Sequence, residues 1–517
     1  MEEGTLGVRA SDGCGWVVAL GGRSARPVLQ NAVSGVRFFA KKVIRVRVPQ
    51  SGDRFTSRPF LSDRIWMVFR LPTSTSDFRL PTSNFPLPGP NLPPMIDTRT
   101  IEQVDPEMAA LIRRDVERQN THIHLIASEN FASPAVMAAS GSVFTNKYAE
   151  GYPGRRYYEG CGVVDEMETL AIDRAKALFG ADHANVQAHS GAQANMGVYF
   201  SLIKPGDTVL GMRLHHGGHL THGSPVNFSG LYYRFVAYGV DPVTEIIDMD
   251  EVEKLAKEHK PRILLAGYSA YSRTLEYERF RQIADGVGAI FMVDSAHFVG
   301  LVAGHAYPSP VPHADVVTAT THKALRGPRG GMILCRDSFA SDIDKAVFPN
   351  AQGGPIMSQV AAKAVCFKEA ATPEFSAYAR QIVSNAGAMA ARIQEEGVRV
   401  VSGGTDNHLF LIDLRSVDPD LTGKEAARLL DQVGITLNFN TIPNDPRPPY
   451  RASGLRIGTP AMTTMGMEEG EAAEIATLIA SALRARGDDD ALGSVKTRVR
   501  ELASSFPPYP DDFVGHV

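Results

Sequence analysis

Short apolar runs alternate with helical segments through the middle of the chain, and this alternation constrains the fold more than any other feature. Apolar runs at Phe235–Tyr238, Ile263–Ala266 and Ile290–Val293 indicate buried strands, and Met249–His259 and Phe280–Gly286 have the spacing of helices. Strands separated by helices form βαβ units and a mainly parallel sheet, which binds ligands at the carboxyl ends of its strands. The sequence therefore predicts an α/β domain with a site along that edge.

A lysine stands where one of these strands ends. The segment Thr318–Gly331 passes from small residues to His322 and Lys323, and then enters a loop rich in glycine. A lysine that is held still and partly desolvated suits Schiff-base chemistry with a carbonyl compound. A surface lysine before a turn is the alternative interpretation.

Two further positions could serve such a lysine. Asp294 ends an apolar strand, where its carboxylate could face the ring nitrogen of a pyridoxal phosphate cofactor; a helix N-cap is the alternative. Arg456 lies in an apolar strand, where a bidentate clamp on a substrate carboxylate is the natural use of a buried guanidinium. A structural ion pair is the alternative for this arginine.

Two loops also have a composition that favours ligand binding. Ser190, Gly191 and Ala192 separate a predicted strand, N-V-Q-A-H-S, from a helix, and free N–H groups at a helix start can seat a phosphate. Thr145–Tyr158 contains four tyrosines and a glutamate, which is typical of a site or of an interface.

Four histidines fall between His215 and His222, but their spacing matches no usual zinc pattern and we predict no metal. An imidazole stacked on an aromatic cofactor is the preferred interpretation. A smaller α+β domain is predicted beyond a long helical stretch at Ser358–Glu396.

The first 94 residues differ from the rest of the chain. They carry a formal charge of +7, whereas the remaining residues carry −11, and they include both tryptophans and a repeated F-R-L-P-T-S. A disordered basic tail, an organellar transit peptide and translated upstream sequence are the candidate explanations. We favour the last, with Met95 as the true start.

The overall composition excludes several classes of function. A net charge of −4 argues against nucleic acid as a partner, and the chain has no apolar run long enough to span a membrane. Its four cysteines are scattered, without a CxxC motif, which fits a reducing compartment and a cytoplasmic protein.

Several long segments together resemble the serine hydroxymethyltransferase family, from about Met95 to Pro508. They are L-I-A-S-E-N, N-K-Y-A-E-G-Y-P-G-R-R-Y-Y, N-V-Q-A-H-S-G-A-Q-A-N, H-G-G-H-L-T-H-G-S-P-V-N-F-S-G, T-T-H-K-A-L-R-G-P-R-G-G, Q-G-G-P and V-S-G-G-T-D-N-H-L. The resemblance implies pyridoxal phosphate (PLP) fold type I, in which a large domain has a mainly parallel seven-stranded sheet between helices and a smaller α+β domain follows. The implied boundaries are an extension at 1–94, an arm at 95–135, the large PLP-binding domain at 136–370 and the small domain at 371–517.

The same resemblance implies a reaction and roles for individual residues. The hydroxymethyl carbon of serine would pass to tetrahydrofolate, giving glycine and 5,10-methylenetetrahydrofolate, in a homodimer or a dimer of dimers. Catalytic roles fall on Lys323, Glu150, His322 and Tyr158. Cofactor contacts fall on Lys323, Asp294, His297, His219, Ser190, Gly191, Ala192, Ser269, Gly353, Gly354 and, from the partner subunit, Tyr148. Substrate contacts fall on Arg456, Ser128, Tyr158 and His297, and folate contacts on Glu150, Tyr157, Leu214 and Asn440.

The chain departs from the family pattern at Ala324, Ser295, Ala319 and Glu159. A small residue at Ala324, next to the lysine, could leave room for a methyl group on the substrate. This raises α-methylserine as an alternative substrate, with alanine as product. An aldolase or transaldolase that does not use folate, and a catalytically silent relative, are the other hypotheses.

Overall fold

The computed structural model describes residues 99–509, together with three strands nearer the amino terminus, Leu6–Arg9, Gly15–Leu20 and Ile65–Val68. The chain divides into two compact units, Met1–Asp97 and Thr98–Val517. In the first unit the three strands pair antiparallel in chain order. The rest of the predicted extension at 1–94 lies outside the described residues, and its origin stays a prediction.

A seven-stranded sheet forms the centre of the second unit, as predicted. In spatial order its strands are His183–Asn185, Gly331–Cys335, Val316–Thr320, Ile290–Asp294, Ile263–Gly267, Thr208–Met212 and Arg234–Tyr238. Gly331–Cys335 runs antiparallel to both neighbours, and the other pairs are parallel.

Both faces of this sheet are buried. Along Ile263–Gly267, Leu264 and Ala266 belong to one hydrophobic core, and Ile263 and Leu265 belong to another. Because side chains alternate across a strand, the two cores lie on opposite faces. The sheet is therefore packed between two helical layers, which explains why central strands such as Ile263–Gly267 are apolar instead of alternating with polar residues.

Helices make up much of the remainder of the second unit. Those before and around the sheet are Ile101–Val104, Pro106–Thr121, Pro134–Ser140, Gly162–Phe179, Gly191–Leu202, Phe228–Tyr232, Met249–His259, Tyr277–Val287, Val299–Ala303 and Ala340–Lys345. Those that follow are Met357–Ala370, Pro373–Glu395, Gly423–Gln432, Pro460–Thr464, Glu469–Arg484 and Asp489–Ser504. Among the helices that the structure describes, none is both long and apolar enough to cross a bilayer.

The structure corrects two predicted elements. The strand predicted as N-V-Q-A-H-S is observed at His183–Asn185 instead. Beyond Asn185, the carbonyl groups of Val186 and Ala188 accept hydrogen bonds from the Lys363 side chain. The long helix predicted over Ser358–Glu396 is divided after Ala370. The Thr372 side chain caps the second helix by accepting from the Phe375 N–H, and Pro373 lacks the N–H that a continuous helix would need.

The carboxyl-terminal part is α+β, as predicted. Its antiparallel sheet has the order Arg399–Val400, Leu409–Asp413, Gly454–Gly458 and Asn438–Asn440, and it packs with the later helices around a separate hydrophobic core. The two-residue strand Ile123–His124 pairs with Ile435–Thr436 of this part. The segment that carries Ser128 and Asn130 is thereby attached to the small domain.

Candidate active site

Polar residues lie at the ends of three neighbouring strands, along one edge of the large sheet. Ile263–Gly267, Ile290–Asp294 and Val316–Thr320 are adjacent and parallel, so Ser269, Asp294 and Lys323 all lie at or just beyond their carboxyl ends. Gly267 permits this close approach, since a Cβ there would lie 2.2 Å from the Asp294 carbonyl oxygen, and its φ is +124°. The site edge predicted from the βαβ pattern is therefore present.

Asp294 is a buried, ionised carboxylate with two side-chain donors. Its Oδ2 accepts from Asn195 Nδ2 at 2.8 Å and from His222 Nε2 at 3.1 Å. His222 Nδ1 accepts from the His219 backbone N–H, so the ring proton is on Nε2 and points at the carboxylate. Burial alone would raise the pKa of Asp294, but His222, His219 and Asn195 together bring that pKa well below its usual value.

Asn195 and His222 were not among the predicted site residues. Asn195 also accepts from the Thr318 hydroxyl at 2.6 Å, so it joins the helix start to the strand that leads to the lysine. Asn195 lies in the segment that follows Ser190, and His222 lies in the histidine cluster; both motifs are evident in the sequence. The only feature that could have predicted them as site residues was their polar side chains within these two motifs.

Lys323 is not the surface lysine of the alternative interpretation, since it is only 8% exposed. Burial lowers the pKa of its amine to about 8, against the opposing effect of Asp294. Its carbonyl accepts from Asn130 Nδ2 at 3.1 Å, and Asn130 Oδ1 in turn accepts from the Thr464 hydroxyl at 2.7 Å. The lysine turn is thus connected to Asn130 near the start of the second unit and, through it, to Thr464 in the carboxyl-terminal part.

Arg456 is buried without a carboxylate partner among the residues that the structure describes. Its Nη1 donates to the Ser269 carbonyl at 2.7 Å, and its Nε donates to Asn438 Oδ1 at 3.0 Å. Burial lowers its pKa to about 10, and no acidic group opposes this effect. Among the described residues, the groups that contact this buried guanidinium are neutral and none forms the ion pair of the alternative interpretation, so Arg456 is well suited to an anionic ligand.

Neutral imidazoles surround the lysine and the arginine. Burial lowers the pKa of His219 to about 4 and that of His297 well below its ordinary value. His297 stacks on His408, with 5.5 Å between ring centroids, and His219 Nδ1 lies 2.7 Å from the Thr221 hydroxyl. These rings therefore offer flat, uncharged surfaces.

The side-chain donor atoms of His219, His222 and Asp294 lie within 4.8 Å of one another, a spacing that a metal ion could use. These side chains already have hydrogen-bond partners. His219 bonds to the Thr221 hydroxyl, and Asp294 accepts from Asn195 and from His222. The expectation of no metal stays a prediction.

The turn predicted to seat a phosphate lies against the strand that leads to Lys323. Ser190 caps the helix Gly191–Leu202 by accepting from the Gln193 N–H at 3.2 Å. A Cβ at Gly191 would lie 2.6 Å from Thr320 Cγ2, so only glycine permits this contact. Ala192 is the second residue of the same helix and is half-buried, and the first N–H groups of a helix have no partner within it.

A second group of predicted residues lies on an exposed loop. The Tyr148 hydroxyl lies 3.5 Å from Glu150 Oε1, and the rings of Tyr148 and Tyr158 meet edge to face at 5.3 Å. A Cβ built on Gly353 would lie 3.6 Å from Glu150 Oε1, and one on Gly354 would lie 3.0 Å from the Tyr148 ring.

Among the contacts of the described residues, none joins this group to Lys323, Asp294 or Arg456. Tyr157 on the same loop is 74% exposed, and Tyr148 and Tyr158 are also exposed. The predicted site residues are therefore present as two separate clusters, which we call the lysine cluster and the Glu150 cluster. The first contains Lys323, Asp294, His219, His297, Ser269 and Arg456, and the second contains Tyr148, Glu150, Tyr157, Tyr158, Gly353 and Gly354.

The remaining predicted residues lie near one cluster or the other without a contact that assigns their role. Ser128 follows Ala127, which packs against Gly458, two residues beyond Arg456. Leu214 begins the short helix Leu214–His216, and Asn440 ends the strand that contains Asn438. No contact of the described residues joins Tyr157 to Leu214 or Asn440, so the folate contacts stay predictions.

The four departures from the family pattern have ordinary surroundings. Ser295 donates to the Thr318 carbonyl at 2.9 Å, and Ala319 is buried in the core. Gly300 lies against the backbone of Ala324, where a Cβ would be 2.2 Å from the Ala324 carbonyl carbon. The Glu159 carbonyl accepts from Lys147 at 2.8 Å.

The lysine cluster fits pyridoxal phosphate. Together with the nearby helix start at the Ser190 turn, it offers a partly desolvated amine, an ionised carboxylate and flat neutral rings, and these features match the aldehyde, ring nitrogen, ring face and phosphate of that cofactor. In addition, His189 Nε2 beside the Ser190 turn and His322 Nδ1 beside the lysine are buried and have no hydrogen-bond partner among the residues that the structure describes. A polar ligand in this region could satisfy both.

Two comparisons with known proteins bear on this site. The family model for serine hydroxymethyltransferase matches residues 101–479. A relative from Myxococcus xanthus (strain DK1622) that is named serine hydroxymethyltransferase is 58% identical over 415 residues, which cover 80% of this chain and 99% of the relative.

Proposed function

The chain belongs to the serine hydroxymethyltransferase family, and from this premise we propose that it is a PLP-dependent enzyme that transfers the hydroxymethyl carbon of L-serine to tetrahydrofolate. The products are glycine and 5,10-methylenetetrahydrofolate, and the reaction is reversible. The observation that carries the proposal is Lys323, a buried amine of lowered pKa that is influenced by an ionised Asp294 and by a buried Arg456, for which the described residues provide no carboxylate partner.

When bound, pyridoxal phosphate supplies a carbonyl group that captures amines and an aromatic ring that accepts the electron pair of a bond broken at Cα. The residues that would hold it are Lys323, Asp294, His219, His297, Ser190, Gly191, Ala192 and Ser269. Asp294 would supply a fixed negative charge that favours a protonated ring nitrogen. His219 would offer the ring a flat surface without a competing charge, because burial lowers the pKa of its imidazole to about 4.

The other side chains act on the amino acid. Arg456 binds its carboxylate, assisted by Ser128, and so fixes which bond at Cα is exposed to the reaction. Glu150 moves a proton at the substrate hydroxyl, and Tyr158 and His322 orient groups around Cα. Leu214, Tyr157 and Asn440 contact the folate.

The direct test is a product assay with purified protein, L-serine and tetrahydrofolate. The proposal requires glycine and 5,10-methylenetetrahydrofolate in equal amounts, and little glycine when folate is omitted. Equal rates of glycine formation with and without folate would instead support a folate-independent aldolase.

Replacing Arg456 with lysine is expected to weaken serine binding while cofactor binding is retained. Lysine keeps the positive charge but cannot make two parallel hydrogen bonds to one carboxylate. We expect the KM for serine to rise about a hundredfold, in the range for a damaged buried charge pair. Steady-state kinetics and the visible absorbance of the bound cofactor measure both quantities; an unchanged KM would contradict the assigned role.

We also propose that the active unit is a homodimer, or a dimer of dimers, in which each site combines the lysine cluster of one chain with the Glu150 cluster of the other. Two features support this arrangement: the clusters are separate within one chain, and the Glu150 loop presents three exposed tyrosines. Tyrosine-rich exposed surfaces are typical of protein interfaces.

A mixed dimer tests this arrangement. Lys323→Ala and Glu150→Gln proteins are each expected to be nearly inactive, whereas a dimer with one chain of each kind contains one intact site. Isolated with two different affinity tags, this mixed dimer should show about half the wild-type activity. A mixed dimer of Lys323→Ala with Asp294→Asn is the matched control and should stay inactive, because both defects then lie in lysine clusters. Inactivity of the first mixed dimer would place both clusters in one chain.

The α-methylserine alternative is not favoured, because the description of the matching family and the name of the Myxococcus xanthus relative both refer to serine. We propose that residues from about Met95 onward carry the activity, since every proposed site residue lies after that point, in the proposed arm (95–135), large domain (136–370) and small domain (371–517).

The free thiols of Cys161, Cys335 and Cys366 support a reducing, cytoplasmic location.

A further inference from the structure

Lys363 is a fully buried lysine for which the proposed reaction has no use. It lies on the helix Met357–Ala370 and is 2% exposed. Its Nζ donates to the carbonyl oxygens of Val186 at 2.6 Å, Ala188 at 3.0 Å and Gly331 at 2.8 Å. Three carbonyl acceptors use all three N–H groups of an ammonium, which compensates for the loss of water around a buried charge.

The three carbonyls belong to the two backbone segments on which the cofactor site depends. Val186 and Ala188 immediately precede the Ser190 turn, in the stretch that leaves the sheet after Asn185. Gly331 ends the glycine-rich loop that follows Lys323 and begins the next strand. Lys363 is therefore the common donor to the segment before the phosphate turn and the segment after the catalytic lysine.

These two segments also contact each other next to Lys363. The Gly331 N–H donates to the Ala188 carbonyl at 2.9 Å, and a Cβ at Gly331 would lie 2.4 Å from the Ser190 carbonyl oxygen. A Cβ at Gly330 would lie 2.5 Å from Lys363 Cε. The packing leaves no room for a further side chain between these segments. If the Lys363 ammonium were removed, another protein donor could take its place only if the turn shifted.

From this geometry, and resting on the proposed use of pyridoxal phosphate, we propose that Lys363 is a positioning residue for phosphate binding. Its ammonium fixes the backbone from Val186 to Ser190, and hence the direction of the free N–H groups at the start of the helix Gly191–Leu202. Burial lowers the pKa of Lys363 to about 7, whereas the three carbonyl acceptors favour its ammonium form, which places a buried positive charge beside the turn that receives an anion. Lys363 does not touch the reacting atoms, and it acts through the turn.

The test compares two ligands that differ only in the phosphate, pyridoxal phosphate and pyridoxal. Both have the aldehyde and the ring, so a defect at Lys323 or Asp294 affects both, whereas a defect of the phosphate turn affects only the first. Lys363→Met keeps the length of the side chain and removes its charge and donors. We expect the Kd of the apoprotein for pyridoxal phosphate to rise about tenfold to a hundredfold, the range for lost hydrogen bonds to a charged group, with less than about a threefold change for pyridoxal.

Three further proteins make the comparison decisive. Arg174→Met is the matched control, because Arg174 is likewise a cationic side chain that donates to a backbone carbonyl, but to that of Ala364 at 2.7 Å and not to the turn; it should change neither Kd. Lys363→Arg should restore part of the preference for the phosphate. Lys363→Gln serves if the methionine variant does not fold, with the same expected direction.

The outcomes separate the two proposals. A ratio of the two Kd values that stays at the wild-type value in the methionine or glutamine variant would overturn the role of Lys363 alone. A wild-type protein that binds neither ligand would overturn the proposed cofactor and therefore the function itself.

Discussion

A Lys323→Ala protein will hold no pyridoxal phosphate covalently, and its conversion of serine to glycine will fall by at least about a thousandfold, as expected when the nucleophile of a covalent mechanism is removed. Lys323 is buried at the carboxyl edge of the sheet, three residues after the strand Val316–Thr320. Borohydride reduction followed by peptide mass analysis detects a covalent link, and a kinetic assay measures the residual turnover.

The pH dependence of cofactor uptake follows from the surroundings of the same amine. The neutral form is the nucleophile, and it predominates above the pKa of the amine. Because burial lowers that pKa to about 8, uptake by the wild-type apoprotein should accelerate as the pH rises towards 8 and level off above it. An ordinary exposed lysine would continue to gain reactivity to about pH 10.

A surface lysine provides the control for this prediction. Lys368 is exposed on the helix that also carries Lys363, and Lys368→Ala should leave both the covalent link and the turnover unchanged. A Lys323→Ala protein that still released a reduced cofactor–peptide adduct at another lysine, with turnover near the wild-type value, would exclude Lys323 as the attachment site.

Replacing Asp294 with asparagine is expected to lower kcat for serine by about a hundredfold to a thousandfold, the usual effect of removing one preorganised electrostatic group. Asparagine has nearly the same shape as aspartate but no charge, so the cofactor ring would lose the anion that keeps its nitrogen protonated. Cofactor binding should persist, because the lysine and the phosphate turn are intact. Visible absorbance reports the bound cofactor, and single-turnover kinetics report the chemical step.

The matched control for this change is Asp315→Asn. Asp315 immediately precedes the strand Val316–Thr320, so it lies at the opposite end of the sheet, where it forms ion pairs with Arg281 and Arg336. Its replacement should lower thermal stability and leave kcat unaffected. A comparable loss of kcat in both variants would mean that Asp294 supports only the fold.

Much of the fold could be predicted from local patterns in the sequence. The apolar runs at Ile263–Ala266 and Ile290–Val293 predicted adjacent parallel strands, because both faces of such strands are buried and no polar residue interrupts them. The strand expected at N-V-Q-A-H-S was misplaced for the opposite reason. Its apolar residues are buried, but their carbonyls bind the Lys363 ammonium, which is a contact between residues far apart in sequence.

The site was partly predictable for similar reasons. Lys323 follows one strand and Asp294 ends another, and their position at one sheet edge is a consequence of parallel topology. Asn195 and His222 were missed as the partners of Asp294, since a hydrogen bond between residues 72 or 99 positions apart leaves no local pattern. The separation of the Glu150 cluster from the lysine cluster likewise depends on the folded chain, and not on any spacing in the sequence.

The measurement that tests the central claim most directly is a competition between L-serine and α-methylserine, with tetrahydrofolate and cofactor in one vessel. Glycine and alanine are quantified together as the products. We predict that glycine forms rapidly, in an amount equal to the 5,10-methylenetetrahydrofolate produced, and that alanine is a minor product. Alanine formation with negligible glycine would contradict the assignment of serine as the substrate of this site.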